Sequence, residues 1–235
     1  MTEKQPERRK TKKRQAETAV RSSFLPKVKV FELLPPSQQY PVKRALFRQG
    51  AEVENLYFIE TGLVKLVRSE ENGSEMIVNV RNPGWLLGSA AAILGQRFPT
   101  TAVTLTPCLL RRLPVKDFHQ LMKTNHDFSW YVHCVHSRDI LEQTIRLSEL
   151  GNLSARQRLE HLLWELISAL DLRDPRQSER IQLPLKHSEI AQLIAVTPEH
   201  VSRVLKQMEA KKFVQRKKGW IIVPDPQKLY RPNDL

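Results

Sequence analysis

Thr197 followed by Pro198 specifies the start of a helix twice. A threonine hydroxyl accepts one of the backbone N–H groups left over at a helix start. Proline suits the first helical position, where its missing N–H costs nothing. From there Val201, Leu205 and Met208 recur at i, i+4 and i+7, so the helix buries one face. Glu199, His200, Ser202, Arg203, Lys206 and Gln207 fall on the outer faces. Upstream, Ile190, Leu193 and Ile194 line one side of a helix over about 187–194, and Ala195-Val196 is the short turn between the two. Downstream, Val214–Arg216 and Trp220–Val223 flank Lys217-Lys218-Gly219 and predict a basic hairpin. Helix, turn, helix and hairpin in that order describe a winged helix-turn-helix, which lays its second helix in the major groove of DNA.

The outward residues suit base edges. An arginine early in such a helix can donate two hydrogen bonds to guanine O6 and N7, worth about 1–3 kcal/mol of discrimination. Arg203 stands there. Glu199 can accept from a cytosine amino group or orient Arg203 one turn away, and Ser202 can meet a base or a phosphate. Thr197, Lys206, Lys217 and Lys218 suit the phosphate backbone, which supplies affinity but no sequence information. Glu199 and Arg203 alone would be an ordinary surface ion pair at i, i+4. The cap, the proline, the turn and the hairpin together carry the DNA expectation.

Thr197-Pro198-Glu199-His200-Val201-Ser202-Arg203-Val204-Leu205 resembles the recognition helix of the Crp/Fnr family, the transcription regulators related to the cyclic-AMP receptor protein and the fumarate-and-nitrate-reduction regulator. Glu199, Ser202 and Arg203 match the E-x-x-S-R pattern of the oxygen-responsive branch, which implies TTGAT-like half-sites repeated as a palindrome. The cyclic-AMP branch has an arginine where Pro198 stands. The resemblance runs from about Phe24 to Val223. It implies an α+β chain: an antiparallel β-roll of the cyclic-nucleotide-binding type, a long dimerisation helix and the winged helix-turn-helix.

Composition is consistent with this. Net charge is +13, of which residues 1–23 and 151–235 contribute +5 each. Excess positive charge at both ends favours a polyanionic partner. No apolar run is long enough for a membrane span, and the basic N-terminus lacks the apolar core of a secretory signal. Cys108 and Cys134 make no disulfide framework, so a reduced, cytoplasmic setting is expected.

Along the chain, residues 1–23 read as a disordered basic arm. Over 24–126, short strands at Leu46-Phe47, Leu56–Ile59, Leu63–Val67, Met76–Val80, Ala102–Leu105 and Leu109–Leu113 are separated by turn signals, as in an antiparallel roll. Gly50, Tyr57, Ile59, Gly62 and Val64 carry the β-roll likeness. A short helix is expected over Pro114–Met122. A long one over 127–150, with Asn125 as a cap, would pair with its twin in a homodimer. Gly151-Asn152 reads as a hinge. A further helix over Leu153–Leu170, with Ser154 as a candidate cap, opens a DNA-binding domain over 151–223. Residues 171–179 read as a polar loop and 224–235 as a tail.

The β-roll raises the question of an effector. The family's phosphate cassette has the form G-E and, about ten residues later, R-S-A or R-T-A. Here Gly88-Ser89 puts serine in place of the glutamate, and Pro99 or Thr100 stands in place of the arginine before Thr101-Ala102. Both charged ligands of cyclic AMP are absent, so cyclic-AMP control is not expected. Gly88, Ser89, Ala90, Arg97, Thr100, Thr101 and Thr144 are the candidate pocket residues for a less charged effector. An iron–sulfur cluster is not expected, because no cysteine precedes Cys108. His126, His133, Cys134 and His136 leave haem or a metal as a minor option, with helix-surface histidines the plainer reading. No catalytic motif stands out, and an enzyme is not expected. The expected partners are double-stranded DNA, a second copy of the chain and, as a further candidate, RNA polymerase. The alternative is a ligand-binding or protein-interaction module whose winged helix is a scaffold. RNA binding fits the charge but lacks an aromatic stacking platform.

Overall fold

The computed structural model describes residues 30–170, 185–217, 220–225 and 228–229. A short helix α1 (Val30–Leu33) ends before Pro35-Pro36, where proline cannot continue it. The strands β1 (Ser37–Tyr40), β2 (Ala45–Phe47), β3 (Asn55–Thr61), β4 (Val64–Ser69), β5 (Glu75–Arg81), β6 (Leu86–Leu87), β7 (Thr101–Thr104) and β8 (Cys108–Pro114) follow, with helix α2 (Ser89–Leu94) between β6 and β7. They form two four-stranded antiparallel sheets, ordered β1-β8-β3-β6 and β2-β7-β4-β5. Then come α3 (Val115–Thr124), the long α4 (His126–Asn152), α5 (Ala155–Leu170), α6 (His187–Leu193) and α7 (Pro198–Ala210). The hairpin β9 (Gln215–Lys217) and β10 (Trp220–Ile222) completes the described elements. The architecture is the expected α+β arrangement of β-roll, long helix and winged helix-turn-helix.

The roll closes around β3. Tyr57 lies toward Tyr40 and Phe47, with ring centroids 6.1 and 6.3 Å away, while Phe58 lies toward Tyr131 of α4 at 6.1 Å. Adjacent residues of a strand point to opposite faces, so β3 is buried on both. Gly62, at the β3–β4 turn, has φ of +92°, and a Cβ there would meet Cys108 Sγ and the Pro107 carbonyl at 2.6 Å. Only glycine fits this turn.

The long helix changes character along its length. Phe128, Tyr131, Val132 and Val135 are buried against the roll, whereas Ile140, Leu141 and Leu147 are each more than 60% exposed. Its start is capped as expected, with Asn125 accepting from Phe128 N at 2.9 Å.

The structure corrects several expectations. The polar Ser37–Tyr40 segment is an edge strand because it pairs with β8, and Ser89–Leu94 is a helical turn. Gly151 and Asn152 do not break the long helix. The chain turns extended at Leu153, whose ψ is 142°, and Ser154 caps α5 by accepting from Gln157 N at 3.3 Å. A glycine weakens a helix by about 1 kcal/mol without having to end it. The cap at Ser154 decides the boundary. Residues 224–235 are not all tail, since Leu229 is buried in the C-terminal core. The basic arm, the loop over 171–179 and Lys218-Gly219 lie outside the described residues.

The winged-helix core reaches onto the roll. Leu63, Val67, Ile77 and Leu105 join Ile190, Leu193 and Leu205 in one buried cluster. Here α6 docks on β5, which is the edge of its sheet. The Gln192 amide completes the open edge by accepting from Ile77 N at 2.9 Å and donating to Glu75 O at 3.0 Å. Lys65 and Glu189 pair beside it at 2.5 Å.

Candidate functional site

The recognition helix forms as its sequence dictates. Thr197 accepts from His200 N at 3.3 Å, Pro198 opens the helix, and Val201, Val204, Leu205 and Met208 face the core. The turn before it needs a left-handed residue, and Ala195 takes φ of 52°. On the outer side Glu199, Arg203 and Lys206 are exposed, while His200 and Ser202 are half-buried. Among the described residues, Arg203 and Lys206 have no hydrogen bond or ion pair within the chain, and the pair between Glu199 and Arg203 that the spacing allowed does not form. The Glu199 carboxyl lies below the usual carboxylate range because its own backbone N–H, and next the Thr197 hydroxyl, hydrogen-bond to it. It is an acceptor at the helix start, next to a free arginine.

The wing is tied to the end of this helix. Glu209 accepts from Arg216 N at 3.0 Å, from Nε at 3.0 Å and from Nη2 at 2.7 Å. Arg216 thereby holds the Glu209 carboxyl below its ordinary value. Strand pairing sets Lys217 opposite Trp220 at the end of the hairpin. The Glu209–Arg216 link was not legible in the sequence. A carboxylate seven residues before an arginine, across a turn, has no local signature.

The cassette is different. Gly88 has φ of +90° and approaches Phe98 so closely that a Cβ would sit 2.8 Å from its ring. Phe98 stacks on Phe47 with centroids 3.8 Å apart. Ser89, in place of the family's glutamate, is buried. Its Oγ donates to Leu86 O at 3.0 Å and lies 2.9 Å from His136 Nε2 of α4. Burial, partly opposed by Asp139, holds His136 below the usual histidine range. Beside them Arg81, only 6% exposed, lies over the Trp85 ring and pairs with Asp139 at 2.6 Å. Arg97 is turned to solvent, donating to Gly50 O at 2.9 Å and pairing with Glu52 at 3.0 Å. Thr101 accepts from Gln49 N at 3.0 Å. Thr144 is exposed and donates back to Ile140 O at 2.8 Å in its own helix. Ala90 is exposed and Thr100 half-buried. Of the candidate pocket residues, then, Ser89 meets α4 and Gly88 packs on Phe98, while Arg97 and Thr144 are engaged elsewhere. His136 was missed as a cassette partner because it stands 47 residues from Ser89. Among the described residues no group of three or more His, Cys, Asp or Glu side chains could hold a metal ion. No described helix is long and apolar enough to cross a membrane.

A β-roll of this topology joined through a long helix to a winged helix-turn-helix defines a DNA-binding transcription regulator with a cyclic-nucleotide-binding-type domain. Family models agree: residues 37–125 match the cyclic nucleotide-binding domain and 157–231 the Crp-like helix-turn-helix domain. The chain is 30% identical over 202 residues to the global nitrogen regulator of Synechocystis sp., covering 84% of this chain and 89% of that protein. It is 26% identical over 186 residues to the cAMP-activated global transcriptional regulator CRP of Escherichia coli O157:H7, covering 79% and 88%. The c-di-GMP responsive global regulator CLP of Xanthomonas campestris shares the fold, with a TM-score of 0.63 at 22% identity, covering 80% of this chain and 93% of that one. The chain belongs to the Crp/Fnr family of transcription regulators.

Proposed function

We propose that this chain is a cytoplasmic homodimer that reads a palindromic operator with TTGAT-like half-sites and does so without cyclic AMP. The observation that carries it is the outer face of α7, where Arg203 and Lys206 stand without partners among the described residues next to the acceptor Glu199. Arg203 reads a guanine, Glu199 a cytosine amino group, and Ser202 and His200 complete the contacts. Thr197, Lys206, Lys217 and Lys218 hold the phosphates. The roll over 24–126 is the sensor-like domain, 127–150 makes the dimer and 151–223 binds DNA. The exposed Ile140, Leu141 and Leu147 on the second half of α4 suit a twin helix, and two recognition helices about 34 Å apart read a palindrome on one face of the duplex.

The effector reading rests on the cassette. A cyclic phosphate needs a cation and hydrogen-bond donors. Here Arg97 is engaged with Glu52, and Ser89 with Leu86 O and His136. The relatives named above are described as responding to different effectors, so the fold does not fix one. Any effector of this chain is less charged than a cyclic nucleotide and meets Ser89 and His136.

Arg203→Ala tests the base reading. The variant should lose about tenfold or more in affinity for the operator while keeping salt-sensitive binding to unrelated duplex, whose slope is about −0.9 per neutralised phosphate. An Arg203→Ala protein that still selects the operator would overturn the role of Arg203. Wild-type binding without steep salt dependence would favour a protein-interaction scaffold.

A further inference from the structure

The end of α6 is gripped by two arginines from two other helices. Its last carbonyls, of Leu193 and Ile194, lie beyond the helical ladder: Ile194 N, Ala195 N and Val196 N bond back to Ile190, Gln192 and Ala191. A helix end leaves such carbonyls without partners and carries partial negative charge. Arg146 of α4 donates to Leu193 O at 2.7 Å, and its other terminal nitrogen reaches Val78 O of β5 at 3.4 Å. Arg158 of α5 donates to Ile194 O at 2.9 Å, to Leu153 O at 2.9 Å and to Leu150 O at 3.3 Å. One guanidinium therefore touches the end of the long helix, the break after it and the start of the helix-turn-helix turn. The planar fork of arginine can hold three acceptors at once, which a lysine ammonium on a flexible stem does poorly.

The placement has a mechanical consequence. Ile194 is three residues before Thr197, so whatever fixes its carbonyl fixes the origin of α7. A helix of this length is about 20 Å long. A tilt of about 10° at its start moves its far end by about 3.5 Å, roughly one base-pair step. The arginine collar connects that origin to the helix that would carry the dimer axis.

We propose that Arg158 and Arg146 are positioning residues that set the distance and angle between the two recognition helices, and so determine which half-site spacing the protein accepts. They touch no base in this account. The proposal rests on the palindrome reading above. It assigns half-site sequence to Arg203 and its neighbours, and half-site spacing to the collar.

The test uses the full chain and duplexes carrying TTGAT as an inverted repeat with two to six central base pairs. Wild type should favour one spacing by about tenfold over its neighbours. Arg158→Ala should bring neighbouring spacings within about threefold of one another while single-base changes within the half-site keep their wild-type penalties. Arg158→Lys, which keeps the charge but not the fork, should fall between. Arg146→Gln should relax spacing in the same direction, and it and Arg158→Lys carry the test if Arg158→Ala does not fold. Folded variants that keep the wild-type spacing ratio, or that lose affinity equally at every spacing, would overturn the proposal, since uniform loss is what a merely structural role produces. A wild type that distinguishes neither half-site sequence nor spacing would instead remove the DNA reading beneath it.

Discussion

The recognition helix and the cassette are built on opposite principles. On α7 the polar side chains that matter point out, and Arg203 and Lys206 find no partner within the described chain. In the cassette the polar side chains turn inward or to one another: Ser89 to His136, Arg81 to Asp139, Arg97 to Glu52. Unpaired charge at a surface is solvated cheaply and is ready for a polyanion. The charges of the cassette are instead engaged with partners inside the chain. Among the described residues, then, the recognition helix presents unpartnered cations outward, whereas the polar groups of the cassette are engaged with one another.

This contrast can be broken by mutation. The largest effect is expected at Asp139. Removing it leaves the buried Arg81 guanidinium with Glu142 at 3.6 Å as its remaining carboxylate. Removing the half-exposed partner of a buried guanidinium costs about 1–3 kcal/mol. Asp139→Ala should therefore lower stability by about that amount in urea unfolding, whereas Lys206→Ala should change it by less than about 0.5 kcal/mol. Equal effects would mean that the two surfaces are not built differently.

A smaller effect is expected from acid. His136 is held below its ordinary value by burial. Its unfolded form takes up a proton at higher pH than its folded form. The stability contributed by the neutral ring is thus present above the unfolded value of about 6.5 and is lost as pH falls through the depressed folded value. The thermal midpoint should drop between pH 7.5 and 5.5, and His136→Gln should flatten that part of the curve. A drop of the same size in His136→Gln would assign it to other groups.

The smallest effect concerns the wing. Glu209→Gln weakens the hold on Arg216, a partly exposed pair that salt screens. DNA affinity should fall up to about fivefold in a binding titration, with the order of preference among half-site variants unchanged. A changed order would give the wing a share in reading bases.

Which parts were legible follows the same division. The recognition helix could be read because its cap, proline and apolar spacing are all local, and each is where the sequence placed it. Six strands of the roll were legible from alternation and turns. Ser37–Tyr40 was not, because its residues are polar and it is a strand only through its pairing with β8. Leu86-Leu87 was too short to show a period. The hinge was read too early because Gly151-Asn152 looked like a stop, while the capping exchange between Ser154 and Gln157 held the real boundary. The cassette was half legible. That serine replaces glutamate was plain, but not that His136, on another element, would meet it. The arginine collar was beyond reach, because its acceptors are backbone carbonyls that every residue carries.

The most direct test is a selection of random duplexes by the purified protein with no nucleotide added, followed by sequencing of what it retains. An enriched inverted repeat close to TTGAT-N4-ATCAA, unchanged when cyclic AMP is supplied, is the expected result. No enrichment without nucleotide, and a palindrome that appears only with cyclic AMP, would contradict it.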